Sequence, residues 1–277
     1  MTELKNTPEL SESTEPAISY STCYQQCFLS DNMELMKTIE SNTIDLIYCD
    51  ILYGTGRKFK DYQDLKPIRS EIERHYIPRI KEMHRILKPT GSIYLQMDTK
   101  INHWVRCIMD DVFGYGNFRN EIIWYYSGGG AGKSNFTNKH DDILWYSKSK
   151  EYIFNSDDMR VPYEGNGGYQ NSNGIINNGK LYKPNELGKI CEDVWKIPII
   201  HPNDIKERVG YATQKPKALI ERIIKASSNE GDLVADFYMG SGTTAEVCKD
   251  LNRNFIGCDI NPRAIEITLK RLNDARS

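Results

Sequence analysis

The chain predicts an α/β fold built on a mixed, mainly parallel sheet, and three observations carry that expectation. Apolar runs of strand length end in an acid: Ile44–Cys49 leads into Asp50, Ser92–Met97 into Asp98, and Phe255–Cys258 into Asp259. Such near-continuous apolar runs suit strands covered on both faces. Segments of helical periodicity alternate with them. Finally, Asp236-Phe-Tyr-Met-Gly-Ser-Gly-Thr-Thr244 sets a glycine turn between a strand and a helix.

In chain order, residues 1–18 are polar and poor in apolar anchors, which reads as a disordered tail. Order is expected from about Tyr20. Asp31 with Glu34 has the spacing of a capping box ahead of Leu35, Met36 and Ile39, so a short helix starts there. A longer helix is predicted over 70–87, stopped by Pro89 and Gly91, with Pro78 inside it as a kink or break. Ile101–Val112 is helical in pattern, with Trp104, Val105 and Ile108 on one face. Glu121–Tyr126 and Ile143–Ser147 read as strands around the Gly-rich loop Ser127–Lys133, and are expected to form the hairpin edge of the sheet. Residues 151–210 lose the alternation and are rich in Asn, Gly and Tyr, as in Glu164-Gly-Asn-Gly-Gly-Tyr169. A stretch of this kind inside a domain is functional or separate. Helix, strand, helix, strand and helix follow at Pro216–Ala226, Leu233–Phe237, Thr243–Leu251, Phe255–Cys258 and Pro262–Leu272. The expected organisation is therefore a tail (1–18), two halves of one domain (19–150 and 211–277), and an insertion between them (151–210).

Composition narrows the class. The 277 residues carry 39% hydrophobic and 27% charged side chains, and the mean hydropathy is −0.59. No apolar run approaches the roughly 18 residues of a membrane span, and the N-terminus lacks a secretory pattern. A cytoplasmic protein is expected. Seven cysteines lie at scattered positions, which argues for thiols rather than disulfides. Cys23 and Cys27 lack a second ligand pair, so no metal is expected.

Three segments carry chemistry. In Asp236–Thr244, Gly240 and Gly242 would let the backbone approach a ligand closely, the following helix offers its free N–H groups, and Asp259 closes the next strand, where an acid can accept ribose hydroxyls. A nucleotide-type cofactor follows, although Gly240-x-Gly242-x-x-Ala245 also fits a nicotinamide fingerprint. Asp50-Ile-Leu-Tyr53 puts an acid and an aromatic at the carboxyl edge of a strand, suited to a flat, hydrogen-bonding substrate. Tyr211-Ala-Thr-Gln-Lys-Pro216 is either a plain helix start or a polar cluster reaching the cofactor. Read alone, the basic loop Arg57-Lys-Phe-Lys60 is a solvated loop.

The order of these segments resembles the β-group of amino-methylating (N6-adenine/N4-cytosine) site-specific DNA methyltransferases, in which the catalytic motif precedes the cofactor motif. Asp50–Tyr53 is similar to that family's Asp-Pro-Pro-Tyr. Leu87–Tyr94 resembles the helix-to-strand junction that follows, Lys139–Lys148 resembles the strand before the target-recognition region, and Thr213–Pro216, Asp236–Thr244 and Asn254–Asp259 resemble the closing block. The likeness spans about 40–275, with 151–210 matching in position only. It implies a Rossmann-like S-adenosylmethionine-dependent methyltransferase fold and methylation of a flipped base, with adenine N6 favoured because Asp rather than Ser stands at position 50. By the same resemblance, Asp50, Ile51 and Tyr53 would be catalytic. Asp236, Phe237, Gly240, Ser241, Gly242, Thr243, Thr244, Asp259, Thr213 and Lys215 would hold the cofactor. Arg57, Lys58, Lys60 and Lys133 would meet DNA phosphates, and 151–210 would read the sequence. The implied setting is a restriction-modification system, with double-stranded DNA, a cognate endonuclease and a homodimer as partners.

Two departures stand out. Ile51-Leu52 replaces Pro-Pro, and Phe237 replaces the proline of Asp-Pro-Phe. Cytosine N4 methylation, a weakly active DNA-binding relative, an RNA methyltransferase and a nicotinamide enzyme stay open as alternatives.

Overall fold

In a computed structural model of the chain, the described residues are 17–21, 24–59, 62–127, 134–163 and 175–273. Strands β1 (Ala17–Ser21) and β2 (Gln25–Leu29) precede helix α1 (Asn32–Thr38), β3 (Ile44–Asp50), α2 (Arg69–Ile86), β4 (Leu87–Met97), α3 (Asn102–Phe113), β5 (Phe118–Tyr125) and β6 (His140–Ser147). The central region adds β7 (Arg160–Val161), β8 (Ile175–Asn177), β9 (Lys180–Tyr182), β10 (Lys189–Ile190) and β11 (Val194–Lys196). The chain closes with α4 (Lys217–Ser227), β12 (Leu233–Asp236), α5 (Thr243–Asp250), β13 (Asn254–Asp259) and α6 (Pro262–Asn273). No helix among the described residues is long and apolar enough to cross a membrane.

One nine-stranded sheet organises the molecule, in the order β1-β2-β13-β12-β3-β4-β6-β5-β11. The run from β2 to β4 is parallel, and β6 enters antiparallel to both β4 and β5. The strand after β12 lies on one side of it and the strand after β3 lies on the other, so the chain direction across the sheet reverses between them. That reversal opens a crevice beyond the carboxyl ends of β12 and β3, where open α/β sheets bind ligands.

The sheet is sandwiched because β3 is apolar on both faces. Ile44, Leu46, Ile47, Tyr48 and Cys49 are all buried, split between one core under α2 and α3 and another under α4 and α5. Asp45 interrupts the apolar run but does not leave the core. Lys88 bonds its carboxylate at 2.7 and 2.8 Å, and the Leu233 N–H donates to it at 2.9 Å, so the buried charge is paired and hydrogen-bonded.

Several expectations shift. Helix α2 runs unbroken through Pro78, which sits on its exposed face, where the carbonyl one turn earlier can be served by water. Strand β4 begins at Leu87, five residues before the predicted Ser92. Strand β1 starts at Ala17, inside the predicted tail, and 1–16 fall outside the described residues. Asp31 does cap α1, accepting the Met33 N–H at 2.8 Å, but Glu34 bonds Lys37 instead of completing a capping box. The β5–β6 hairpin is not the sheet edge. Strand β11, from the expected insertion, pairs parallel to β5 outside it, and Trp195 anchors it in the core while the Trp124 indole donates to the Ile197 carbonyl at 2.8 Å. A three-residue strand among polar loops carries too little period-2 signal to be seen in sequence.

Candidate active site

At the crevice the strand ends and their loops line a cavity of about 220 Å³. Its wall includes Asp50–Tyr53 from the end of β3, Asp236–Ser241 with Thr243 and Thr244 from the β12–α5 turn, Asp259 from β13, and Thr213 and Lys215 ahead of α4. Segments nearly two hundred residues apart thus face one space, because parallel strands deliver their carboxyl ends to one edge.

The cofactor side is built by the turn. Asp236 is buried, accepting the Thr244 hydroxyl at 2.6 Å and the Tyr238 N–H at 3.0 Å. Burial pushes its carboxyl up to about 7 against those two bonds, with Asp50 and Asp259 adding to the rise. Asp259 accepts the Gly240 N–H at 2.9 Å and the Asn261 N–H at 2.8 Å, so it fixes the turn as well as facing the cavity. Gly240 has φ +50 and lines the cavity, as expected of a close-approach glycine. Gly242 is off the cavity lining; its φ is +71, and a Cβ there would lie 2.3 Å from the Thr268 hydroxyl. Its role is to let α5 start against α6. Thr213 holds φ +63, a strained conformation for a β-branched residue, beside the cavity.

The side formed by the end of β3 is a hydrogen-bond chain. Tyr53 places its hydroxyl 2.8 Å from Asp50 Oδ1 and 2.6 Å from Asp141 Oδ2. The Lys215 ammonium pairs with Asp50 Oδ2 and lies 5.3 Å from the centre of the Tyr53 ring. Burial raises the Asp50 pKa, Lys215 lowers it, and Asp141 adds to the rise. Lys215, expected on the cofactor, thus also pairs with Asp50.

Two of the three missing prolines have a physical counterpart. The Ile51 N–H donates to the Gln96 carbonyl at 3.0 Å, continuing the β3–β4 ladder, and the Phe237 N–H points at Cys49 Sγ at 3.4 Å. Proline could make neither contact. Beyond them, the Leu52 carbonyl accepts the Tyr76 hydroxyl at 2.9 Å. The buried Asp64 carboxylate accepts from Gly54 N at 3.0 Å, Thr55 N at 2.7 Å, the Thr55 hydroxyl at 2.5 Å and Leu65 N at 2.8 Å. Hydrogen bonds therefore replace ring rigidity in holding this loop.

Arg57 and Lys58 are exposed on the loop after the tetrapeptide and do not line the cavity, although their neighbours Phe59 and Tyr62 do, stacked at 4.8 Å. Lys60, Lys133 and most of the Gly-rich loop lie outside the described residues. Sequence reasoning missed several groups. Asn32 bonds the Phe237 carbonyl at 3.2 Å, Arg79 bonds Asn32 at 2.8 Å, and His75 meets the Tyr238 hydroxyl at 3.1 Å. Burial, then Arg79, brings His75 down to about 4. Asp141 was also missed. The signal for it was an acid at the start of a strand: because β6 runs antiparallel, its first residues lie where the parallel strands end.

A cavity at the reversal point, with a cofactor-type glycine turn on one side and an acid–aromatic pair on the other, defines a group-transfer enzyme acting on a planar substrate. A family model for DNA methylase, covering N6 and N4 amino methylation, matches residues 44–270. The chain is 37% identical to the type II methyltransferase M.HpaI of Haemophilus parainfluenzae over 90% of its own length and 74% of that protein's. It is 32% identical to the DNA adenine methyltransferase YhdJ of Escherichia coli K12, over 88% of this chain and 81% of that one. Its fold matches the cytosine-N4-specific PvuII DNA methyltransferase with a TM-score of 0.70 at 18% identity, over 95% of this chain and 91% of that one. The protein belongs to the N6/N4 amino-methylating DNA methyltransferases: it is an S-adenosylmethionine-dependent, site-specific DNA methyltransferase of the type II restriction-modification kind. The nicotinamide and inactive-relative alternatives are not favoured.

Proposed function

We propose that this enzyme methylates adenine N6 in duplex DNA, with Asp50, the Ile51 carbonyl and Tyr53 as the base site. The observation that carries the reading is Asp50 at the end of β3, in one cavity with the β12–α5 turn. The adenine-specific relative supports N6, and an aspartate rather than a serine at position 50 agrees with it. A base inside a duplex is unreachable, so the target nucleotide swings out of the stack. The Tyr53 ring face receives it. Its amino group replaces Lys215 on Asp50 Oδ2 and donates a second hydrogen bond to the Ile51 carbonyl. Both acceptors direct the nitrogen lone pair, and Asp50 takes the proton that leaves the nitrogen.

Residues Asp236, Phe237, Gly240, Ser241, Thr243, Thr244, Asp259, Thr213 and Lys215 would hold S-adenosylmethionine. A buried carboxyl raised to about 7 suits a cationic ligand, which favours its ionised form. When bound, S-adenosylmethionine supplies an electrophilic methyl group on a sulfonium. The protein's part is positioning and electrostatics. Arg57, Lys58, Lys60 and Lys133 would contact phosphates, and 151–210 would read the sequence. A cytoplasmic location, a cognate endonuclease and a homodimer belong to the same reading. The test is modification-detecting sequencing of DNA from a methylation-free host expressing the chain. N6-methyladenine at one recurring sequence is expected, and N4-methylcytosine there would overturn the adenine assignment.

A further inference from the structure

Behind Tyr53 lies a second carboxylate. Asp141, 5% exposed at the start of β6, is the centre of a closed polar group. Its Oδ2 accepts the Gln96 amide at 2.9 Å and meets the Tyr53 hydroxyl at 2.6 Å, and its Oδ1 accepts the Tyr126 hydroxyl at 3.1 Å. The Gln96 carbonyl oxygen in turn accepts the Tyr48 hydroxyl at 2.8 Å, which fixes the orientation of the amide. Gln96 and Tyr48 are buried as well. Such a network has no structural necessity at this depth: apolar side chains would fill the same space without desolvating a carboxylate.

Its geometry is directed at one atom. The Tyr53 hydroxyl has a single proton, yet it stands within hydrogen-bond distance of two carboxylates, Asp50 at 2.8 Å and Asp141 at 2.6 Å. One proton cannot serve both, so the two acids are linked: whatever Tyr53 gives to Asp141 it withholds from Asp50. We propose that Asp141 is a positioning residue of the methyl-transfer site, which fixes the Tyr53 ring by its hydroxyl and, through that hydroxyl, sets the charge on Asp50. This rests on the reading that Asp50 and Tyr53 receive the target base.

The ring needs such a tether here. In a tetrapeptide with two prolines the backbone itself is stiff; with Ile51 and Leu52 the aromatic gains from being held at its far end. The electrostatic part has a definite sign. Asp50 faces Lys215 from the segment before α4, Tyr53 from its own loop, Asp236 from β12, Tyr48 and Cys49 from β3, and Asp141 and Tyr126 from the β5–β6 hairpin. Asp141 has Asp142 and, through Tyr126, Asp98 as its further acidic neighbours. Lys215 and the Tyr53 hydroxyl favour the Asp50 carboxylate, whereas burial and Asp141 oppose it.

The experiment is the pH profile of kcat/KM for duplex DNA at saturating S-adenosylmethionine, so that cofactor binding does not contribute, for the parent, Asp141→Asn and Tyr53→Phe. Asp141→Asn removes a like charge, so the acid limb should move to lower pH by about one unit while kcat falls through loss of the tether. Tyr53→Phe removes a hydrogen bond to the Asp50 carboxylate, so its acid limb should move the opposite way, to higher pH. An acid limb in Asp141→Asn that coincides with the parent's, at whatever plateau, overturns the proposal. Should Asp141→Asn not fold, as judged by circular dichroism, Asp141→Ser removes the same charge and takes its place: a downward shift supports the link and an unmoved limb overturns it. Failure of the underlying base-site reading looks different, since Asp50→Ala would then keep its methyl-transfer activity.

Discussion

Restoring the proline at position 51 tests how this chain manages without it. The Ile51 nitrogen sits 3.0 Å from the Gln96 carbonyl oxygen, to which its N–H donates. In proline that hydrogen becomes a ring carbon roughly 1.5 Å from the nitrogen. It would be left well inside contact distance of the oxygen, so the chain after Asp50 must swing off β4. Three costs follow: the lost bond, a buried carbonyl left without its donor, and loss of the Ile51 side chain, which is 2% exposed among core residues. Together they should destabilise Ile51→Pro by about 3 kcal/mol or more, read as a lower urea midpoint. Because Asp50 is the adjacent residue, single-turnover methylation should fall about a hundredfold, the scale of an ångström-sized misplacement. A parent-like midpoint and rate would refute the reasoning and show that the Ile51 hydrogen bond does not hold the loop.

Other expected outcomes follow from the same geometry. Asp50→Ala should abolish methyl transfer while leaving S-adenosylmethionine binding measurable by calorimetry. Asp259→Ala should weaken that binding, since it removes both the cavity acid and the Gly240 anchor. Asp64→Ala should cost about 3 kcal/mol in urea unfolding, because three backbone N–H groups lose one shared acceptor. For Asp236 the sign is set by a folded-state value near 7 against the ordinary 3.8: the folded protein binds the extra proton, so this group's contribution to stability declines as pH rises from about 4 to 7. The stability difference between Asp236→Asn and the parent should therefore grow in the mutant's favour between pH 5 and pH 8, by at most about 3 kcal/mol. A difference that stays flat with pH would count against a buried, protonatable Asp236. Exchange of 151–190 for a relative's segment, keeping β11, should move the methylated sequence without altering cofactor affinity.

Four of the parallel strands, β3, β4, β12 and β13, were legible because burial on both faces writes a near-continuous apolar run, and each ends at or beside an acid on the functional edge. The glycine turn was legible because strand, turn and helix follow one another directly. Other features were hidden for definite reasons. Asp141 fell outside the predicted strand Ile143–Ser147 and drew no site reading, since only knowing that β6 runs antiparallel brings its first residues to the site. The pairing of Lys215 with Asp50 joins positions 165 residues apart and leaves no local pattern. Gly242 read as a cofactor glycine because its actual neighbour, Thr268, lies on a helix that the motif does not include. Ile51 read only as a departure from Pro-Pro because the compensating acceptor is a main-chain carbonyl, which no side-chain pattern can show.

Strand β11 has a consequence for solubility. An outermost strand offers its free N–H and C=O groups to any other chain. Here β11 pairs with Ile123, Trp124 and Tyr125, the apolar end of β5, while the stretch it leaves uncovered carries Arg119, Asn120 and Glu121. The sticky half is capped by the chain itself and the bare half is guarded by charge and amide groups. The segment proposed to read the DNA sequence therefore also keeps one molecule from adding to the next. A shortened enzyme lacking it would be at risk of aggregating through a three-residue patch far from its chemistry.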